Sequence, residues 1–283
     1  MATEYLTEGV NDLVSTNWKT SSGGAGSGFA DNATLVISRG GTNLTNNMDR
    51  NADTTTGIRY LIIAESFSGS VGTNSTPLIT EASDGTAAEW RSDNTEGRIE
   101  HNGTGTLYVQ GFDTGLANLM QNGAGNTVLI SGTATYARVQ RGRFQAEAAS
   151  VVTNATLIGG SAVFGSKTTA GTLLNVYGGS HTIRRPFTTI NVYGGTIIID
   201  VSNAGAASTV NQYGGTVSLN GHGTTAITAY NHLGGTLDAT RLSVDTTITT
   251  FISQKGTTYV GKPNGATLTL TNQYRMDNNK EPI

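Results

Sequence analysis

Residues 174–180 read LNVYGGS, 190–196 read INVYGGT, 210–216 read VNQYGGT and 231–236 read NHLGGT, so one short unit recurs. This recurrence constrains the fold more than any other feature, because so small a unit can bury an apolar face only by stacking on its neighbours. With the second glycine of each copy as origin, weaker copies extend the series through Gly103, Gly123, Gly142, Gly160, Gly179, Gly195, Gly215, Gly235 and Gly256. The spacings are 20, 19, 18, 19, 16, 20, 20 and 21 residues. A period near 19 without a helical pattern predicts a β-solenoid coil.

Columns read against that glycine assign the faces. Position −5 holds Ala137, Ala155, Leu174, Ile190, Val210, Tyr230 and Phe251, and position −3 holds Met120, Val139, Leu157, Val176 and Val192. Two apolar positions separated by one residue mark a strand with one face inward. Between them, Asn175, Asn191, Asn211 and Asn231 form a column whose amides can bond from coil to coil as a ladder. Position −2 carries Tyr177, Tyr193 and Tyr213, an outward aromatic stripe that suits ladder stabilisation or contact with a protein or a glycan. Beyond the glycine, apolar residues return at +2 (Phe144, Ile197, Val217, Leu237) and +4 (Leu107, Phe164, Ile183, Ile199, Leu219). Each coil therefore reads as strand, Gly-Gly bend, strand, with positive φ expected at the bend. Coil lengths varying from 16 to 21 argue against a strict six-residue subrepeat, so the expected fold is all-β, a right-handed single-stranded parallel β-helix.

The organisation expected is an N-terminal arm and flexible linker over 1–28, an irregular β region capping the solenoid over 29–100, the parallel β-helix over 101–271, and a polar C-terminal tail over 272–283. The arm shows a weakly helical pattern (Tyr5, Val10, Leu13, Val14) with Trp18 as a docking residue, and the octet SSGGAGSG at 21–28 reads as a linker.

Composition narrows the chemistry. The 283 residues include 38 Gly, no Cys and only 13% charged residues, which removes disulfides, thiolate zinc sites and thiol nucleophiles. The longest apolar run, YLIIA at 60–64, is too short to span a bilayer, and neither an export signal nor a membrane partner is expected. Residues 1–100 carry a net charge of −7 and residues 101–283 of +4, which suits docking between copies or differently solvated surfaces.

Solenoids that cleave polysaccharides need carboxylates converging on one bond. Over 101–271 there are only Asp113, Glu147, Asp200, Asp238 and Asp245, without clustering, so no catalytic residue and no enzymatic activity are expected. His101, His181, His222 and His232 lack metal-ligand spacing; they read as structural histidines, and neither a metal nor a cofactor is expected. The segment RVQRGRF places Arg138, Arg141 and Arg143 together, and RRP adds Arg184 and Arg185. These read as a solvated face or intersubunit ion pairs, with a phosphate or an acidic sugar as the sharper alternative; a nucleic-acid partner is not expected, since the region's net charge is small.

The succession LIIAESFSGSVGTNSTPLITEA at 61–82, GRIEHNGTGTLYV at 97–109 and the YGGT coils resembles β-solenoid capsid decoration, cement or head-fibre proteins of tailed bacteriophages. The resemblance covers about residues 30–260 and brings no position-by-position site motif. It implies a non-enzymatic virion structural protein, assembled in the host cytoplasm, located on the outer capsid surface, binding the major capsid protein and itself as a homotrimer. The alternative expectation is a tailspike or receptor-binding fibre that recognises, or cleaves, host surface polysaccharide.

Overall fold

A computed structural model describes residues 3–6, 18–19, 33–38, 40–41, 43–44, 58–79, 98–110, 116–166, 169–200, 209–220, 225–261 and 266–276. Every regular element among them is a strand, and the strands that follow one another from coil to coil pair in parallel, so the chain is an all-β parallel solenoid. It divides into two compact units, residues 1–152 and 153–283.

The first unit holds β1 (Thr3–Leu6), β2 (Trp18–Lys19), β3 (Ala33–Ile37), β4 (Ile58–Ile63), β5 (Leu78–Ile79), β6 (Arg98–His101), β7 (Thr106–Gln110), β8 (Leu116–Gln121), β9 (Asn126–Val139) and β10 (Arg143–Ala146). Pairing β3-β4-β6-β8-β9 stacks Leu35, Leu61, Ile99, Leu119 and Ala137 in one column and Ile37, Ile63, His101, Gln121 and Val139 in the next. All ten side chains are buried. A second sheet stacks Leu107, Thr127 and Phe144, also buried.

This arrangement corrects the expected boundaries. Strands of the 29–100 region are coils of the stack itself, not an irregular cap. Their period is hidden because successive core residues, Leu35, Leu61 and Ile99, are separated by long insertions. Nor is the described part of the 1–28 arm helical: β1 lies parallel to β3, and β2 pairs antiparallel with β1, placing Trp18 opposite Leu6. Only the backbone of Trp18 is described, and the linker 21–28 lies outside the described residues.

The second unit contains β11 (Ser150–Leu157) from Thr153 onward, β12 (Ser161–Phe164), β13 (Gly171–Val176), β14 (Ser180–Ile183), β15 (Phe187–Val192), β16 (Thr196–Ile199), β17 (Thr209–Gln212), β18 (Thr216–Leu219), β19 (Thr225–His232), β20 (Thr236–Asp238), β21 (Thr246–Gln254), β22 (Thr258–Val260) and β23 (Leu268–Met276). Ala155, Leu174, Ile190, Val210, Tyr230 and Phe251 stack as expected, and all are buried. Facing them, Ala162, His181, Ile197, Val217 and Leu237 form the inner column of the other sheet. The strand β23 pairs with β21 as far as Met276, so the expected tail from 272 begins inside the sheet; residues 277–283 lie outside the described residues.

The bends need glycine for two different reasons. In the YGG coils the second glycine is left-handed, as at Gly195 with φ 78°, where a side chain is strained. In the N-G-x-G coils it is not. Thr106, Asn126 and Arg143 share a column, so the counterparts of Gly142 are Gly105 and Gly125, two residues beyond the expected origins Gly103 and Gly123. Between Gln121 and Asn126 the bend carries one residue more than between Val139 and Arg143. Glycine at 123 answers to close approach, since a Cβ there would lie 2.0 Å from the Asn102 carbonyl oxygen. The shift also corrects Met120: it faces outward, half-buried, and Leu119 takes the inward place.

Candidate interaction surfaces

Alternation along β13, β15 and β17 sends Leu174, Ile190 and Val210 inward and the asparagines between them and the next inward residue outward. Because the coils are in register, Asn191 Nδ2 donates to Asn175 Oδ1 (2.9 Å), Asn211 to Asn191 (2.8 Å) and Asn231 to Asn211 (2.7 Å). The expected ladder of Asn175, Asn191, Asn211 and Asn231 is thus formed. Each inner asparagine donates to one coil and accepts from the other, which ties neighbouring coils together outside the backbone ladder.

Just past the strand ends, Tyr177, Tyr193 and Tyr213 point outward. Their amides donate to Leu157, Val176 and Val192 carbonyls at 2.7 Å, which locks each tyrosine backbone to the preceding coil. The rings stack with centroids 4.8 and 5.0 Å apart and planes within 8° and 5° of parallel. That spacing is the interstrand distance, so the coil rise dictates the stack. The three residues remain 50, 42 and 47% exposed. Neighbouring rings cover both faces of Tyr193 and one face each of Tyr177 and Tyr213, and edges and hydroxyls point outward along the rib, a geometry that suits edgewise contact with a protein surface. Desolvation pushes the Tyr193 phenol above its ordinary pKa, and the phenols of Tyr177 and Tyr213 add to the rise.

The arginines divide. Arg138 is half-buried on the outer face of β9, opposite Met120, while Arg141 and Arg143 are exposed at the bend that follows. Among the described residues none of the three has an ion pair or side-chain hydrogen bond. Arg184 and Arg185 do not form an open cationic patch. Arg184 Nε lies 3.3 Å from Asp200 Oδ2, and Arg185, 1% exposed, donates from Nε to the Gly165 carbonyl at 3.0 Å. Burying a guanidinium requires such partners.

The described carboxylates of 101–271 are engaged by the solenoid itself, Glu147 and Asp238 within their own coils and Asp200 and Asp245 across to an adjacent one. Asp238 accepts from the Thr240 amide (2.8 Å) and hydroxyl (2.6 Å), and Asp245 accepts from the Thr267 amide (2.7 Å). Glu147 accepts from Gln145, and Asp200 holds Arg184. Asp113 and His222 lie outside the described residues.

Histidines point into the stacks, where sequence patterning gave no specific partners. Burial lowers the His101 pKa to about 4, against a smaller opposing effect of its bond to Gln121. His181 and His232 are lowered by the same cause, opposed by their bonds to the Gly178 and Gly235 carbonyls (2.6 and 3.2 Å). Tyr230, fully buried, donates from its hydroxyl to Gln212 Oε1 at 2.7 Å, while Gln212 Nε2 donates to the Thr236 carbonyl at 2.8 Å. Among the described residues no group of three or more His, Cys, Asp or Glu is placed to hold a metal ion.

No family model, no curated protein and no solved structure matches this chain.

Proposed function

We propose that the protein is a non-enzymatic structural component of a tailed-bacteriophage virion: a decoration or cement protein held on the outer capsid surface by the major capsid protein and by its own copies, as a homotrimer. The observation that carries the structural role is the outward rib of Tyr177, Tyr193 and Tyr213 beside the asparagine ladder. Its rings are already immobilised by one another, so little side-chain entropy remains to be lost on docking, and aromatic edges with hydroxyls suit a protein partner. The rib repeats at the interstrand rise, so another copy of the same solenoid offers a surface of matching pitch. The phage-head assignment itself rests on the resemblance of residues 61–82 and 97–109.

Quantitative mass spectrometry of purified particles tests this reading. A copy number comparable with that of the major capsid protein, together with loss of particle heat resistance when the protein is stripped off, is the expected result. Absence from the particles, or unchanged particle stability after removal, overturns it; a copy number at the level of tail components favours the receptor-binding fibre instead.

A further inference from the structure

The geometry points to a binding trough for an acidic oligosaccharide on the outer surface of the first unit, a reading independent of any role in a virion. Strands β4, β6, β8 and β9 end with Ile63, His101, Gln121 and Val139 side by side and facing inward. Parallel bonding continues one residue further, since Asn102 N donates to Ile63 O (2.8 Å), Asn122 N to His101 O (2.9 Å) and Gln140 N to Gln121 O (2.8 Å). The row after that reads Glu65, Gly103, Gly123 and Arg141. Its two inner coils carry no side chain in this row. Its outer coils carry opposite charges three interstrand steps apart, roughly 14 Å at the backbone.

The result is an open trough of about 380 Å³, lined by Ile62, Glu65, Asn102, Thr104, Asn122 and Arg141 among others. That volume is of the size small-molecule sites have. Three features call for a ligand. Asn122 lines the trough, and its Oδ1 is turned inward, buried with no hydrogen-bond partner among the described residues. Glu65 and Arg141 are both exposed, and among the described residues neither has an ion pair or side-chain hydrogen bond. Arg138 on β9 and Arg143 at the start of β10 lie close in sequence on either side of Arg141, also without a partner among the described residues, so the Arg141 end of the trough is cationic while Glu65 stands at the other.

A saccharide fits that pattern because each hydroxyl both donates and accepts: it can donate to the Glu65 carboxylate and accept from the side-chain amides of Asn102 and Asn122. A carboxylate on one terminal sugar would meet the Arg141 guanidinium in a charge-assisted pair. A nucleic-acid or polyphosphate chain, charged along its whole length, would place an anion against Glu65.

The test titrates the full chain with 3′-sialyllactose, which carries one carboxylate, with lactose, its neutral part, and with inorganic phosphate, using saturation-transfer NMR and calorimetry. Sialyllactose is expected to bind about tenfold more tightly than lactose, the worth of one charge-assisted contact. Arg141→Ala should bring the two sugars to equal affinity, and Asn122→Ala should weaken both. Circular dichroism and thermal melting of each variant establish that it has folded. Binding of neither sugar at millimolar concentration overturns the proposal. So does a sialyllactose affinity unchanged by Arg141→Ala, or competition by phosphate at equal concentration, which would reduce the trough to a plain anion site.

Discussion

His101 and Gln121 stack one coil apart inside the first unit, with His101 Nδ1 2.9 Å from Gln121 Oε1 and both side chains buried. Thr127 donates its hydroxyl to the same Oε1 (2.6 Å), and Gln121 Nε2 donates to the Gly123 carbonyl (2.7 Å). Gln121 Oε1 is therefore the acceptor, and Nδ1 of the neutral imidazole carries the hydrogen. The network closes on itself with the ring uncharged.

Acid should therefore weaken the fold through this ring. The folded His101 pKa of about 4 lies below its ordinary 6.5, so between these values the unfolded chain binds the proton and the folded one does not. Stability from this group is complete above pH 6.5 and is lost as pH falls towards 4, by up to about 3 kcal/mol. His181 and His232 act in the same direction. Urea unfolding at pH 7.5 and pH 4.5 should show the drop. In His101→Leu the stability at pH 7.5 should be lower by about 1 kcal/mol, because Gln121 Oε1 loses one hydrogen bond and keeps that from Thr127, and the fall between the two pH values should be shallower.

Two glycines separate backbone strain from steric clash. Both Gly195 and Gly256 are left-handed, with φ 78° and 88°. A Cβ at Gly256 meets nothing within 4 Å, whereas one at Gly195 would lie 2.7 Å from the backbone of Gly178 and Gly179. Gly256→Ala should cost about 1–2 kcal/mol, and Gly195→Ala about 3 kcal/mol or more. Equal losses of denaturation midpoint at unchanged m-value would refute this account.

The asparagine ladder should show position dependence. Asn211→Ala removes two side-chain bonds and leaves partners on both neighbouring coils unmet, while Asn175→Ala removes one bond. We expect the inner substitution to destabilise by about 1 kcal/mol more than the outer one. Thermal melts of the two variants side by side give the comparison.

For the tyrosine rib, Tyr193→Phe keeps both ring contacts and Tyr193→Ala removes them. The first should be nearly neutral for stability, and the second should cost about 1–3 kcal/mol. Spectrophotometric titration of wild type and Tyr193→Phe reads the phenol itself. The variant should lose a component that ionises at higher pH than the ordinary tyrosine range, because burial and two neighbouring phenols hold that proton.

How much of this was legible in the chain depends on how local each feature is. The coil unit, the inward pair around each asparagine, and the outward Tyr177, Tyr193 and Tyr213 follow from alternation within one strand and recurrence at a nearly constant interval. A single coil holds that information, because a strand's side chains alternate whatever it pairs with. The same logic failed where the interval changes. Met120 falls in the inward column only if the N-G-x-G bend has the length of the YGG bend, and it is one residue longer. In the coils through Leu35 and Leu61 long insertions separate the core residues, which hides the interval and makes the segment resemble a cap.

By itself, then, the sequence determined the repeating unit, its core columns and its two outer ladders. Only the tertiary structure decided which residues of distant coils lie side by side: His101 against Gln121 and Thr127, Glu65 and Arg141 at opposite ends of a glycine row, Arg185 buried while Arg141 stands free. Those juxtapositions depend on register between strands separated by 18 to 38 residues, and register is settled by packing across the whole coil and by the length of each bend, which no single segment carries.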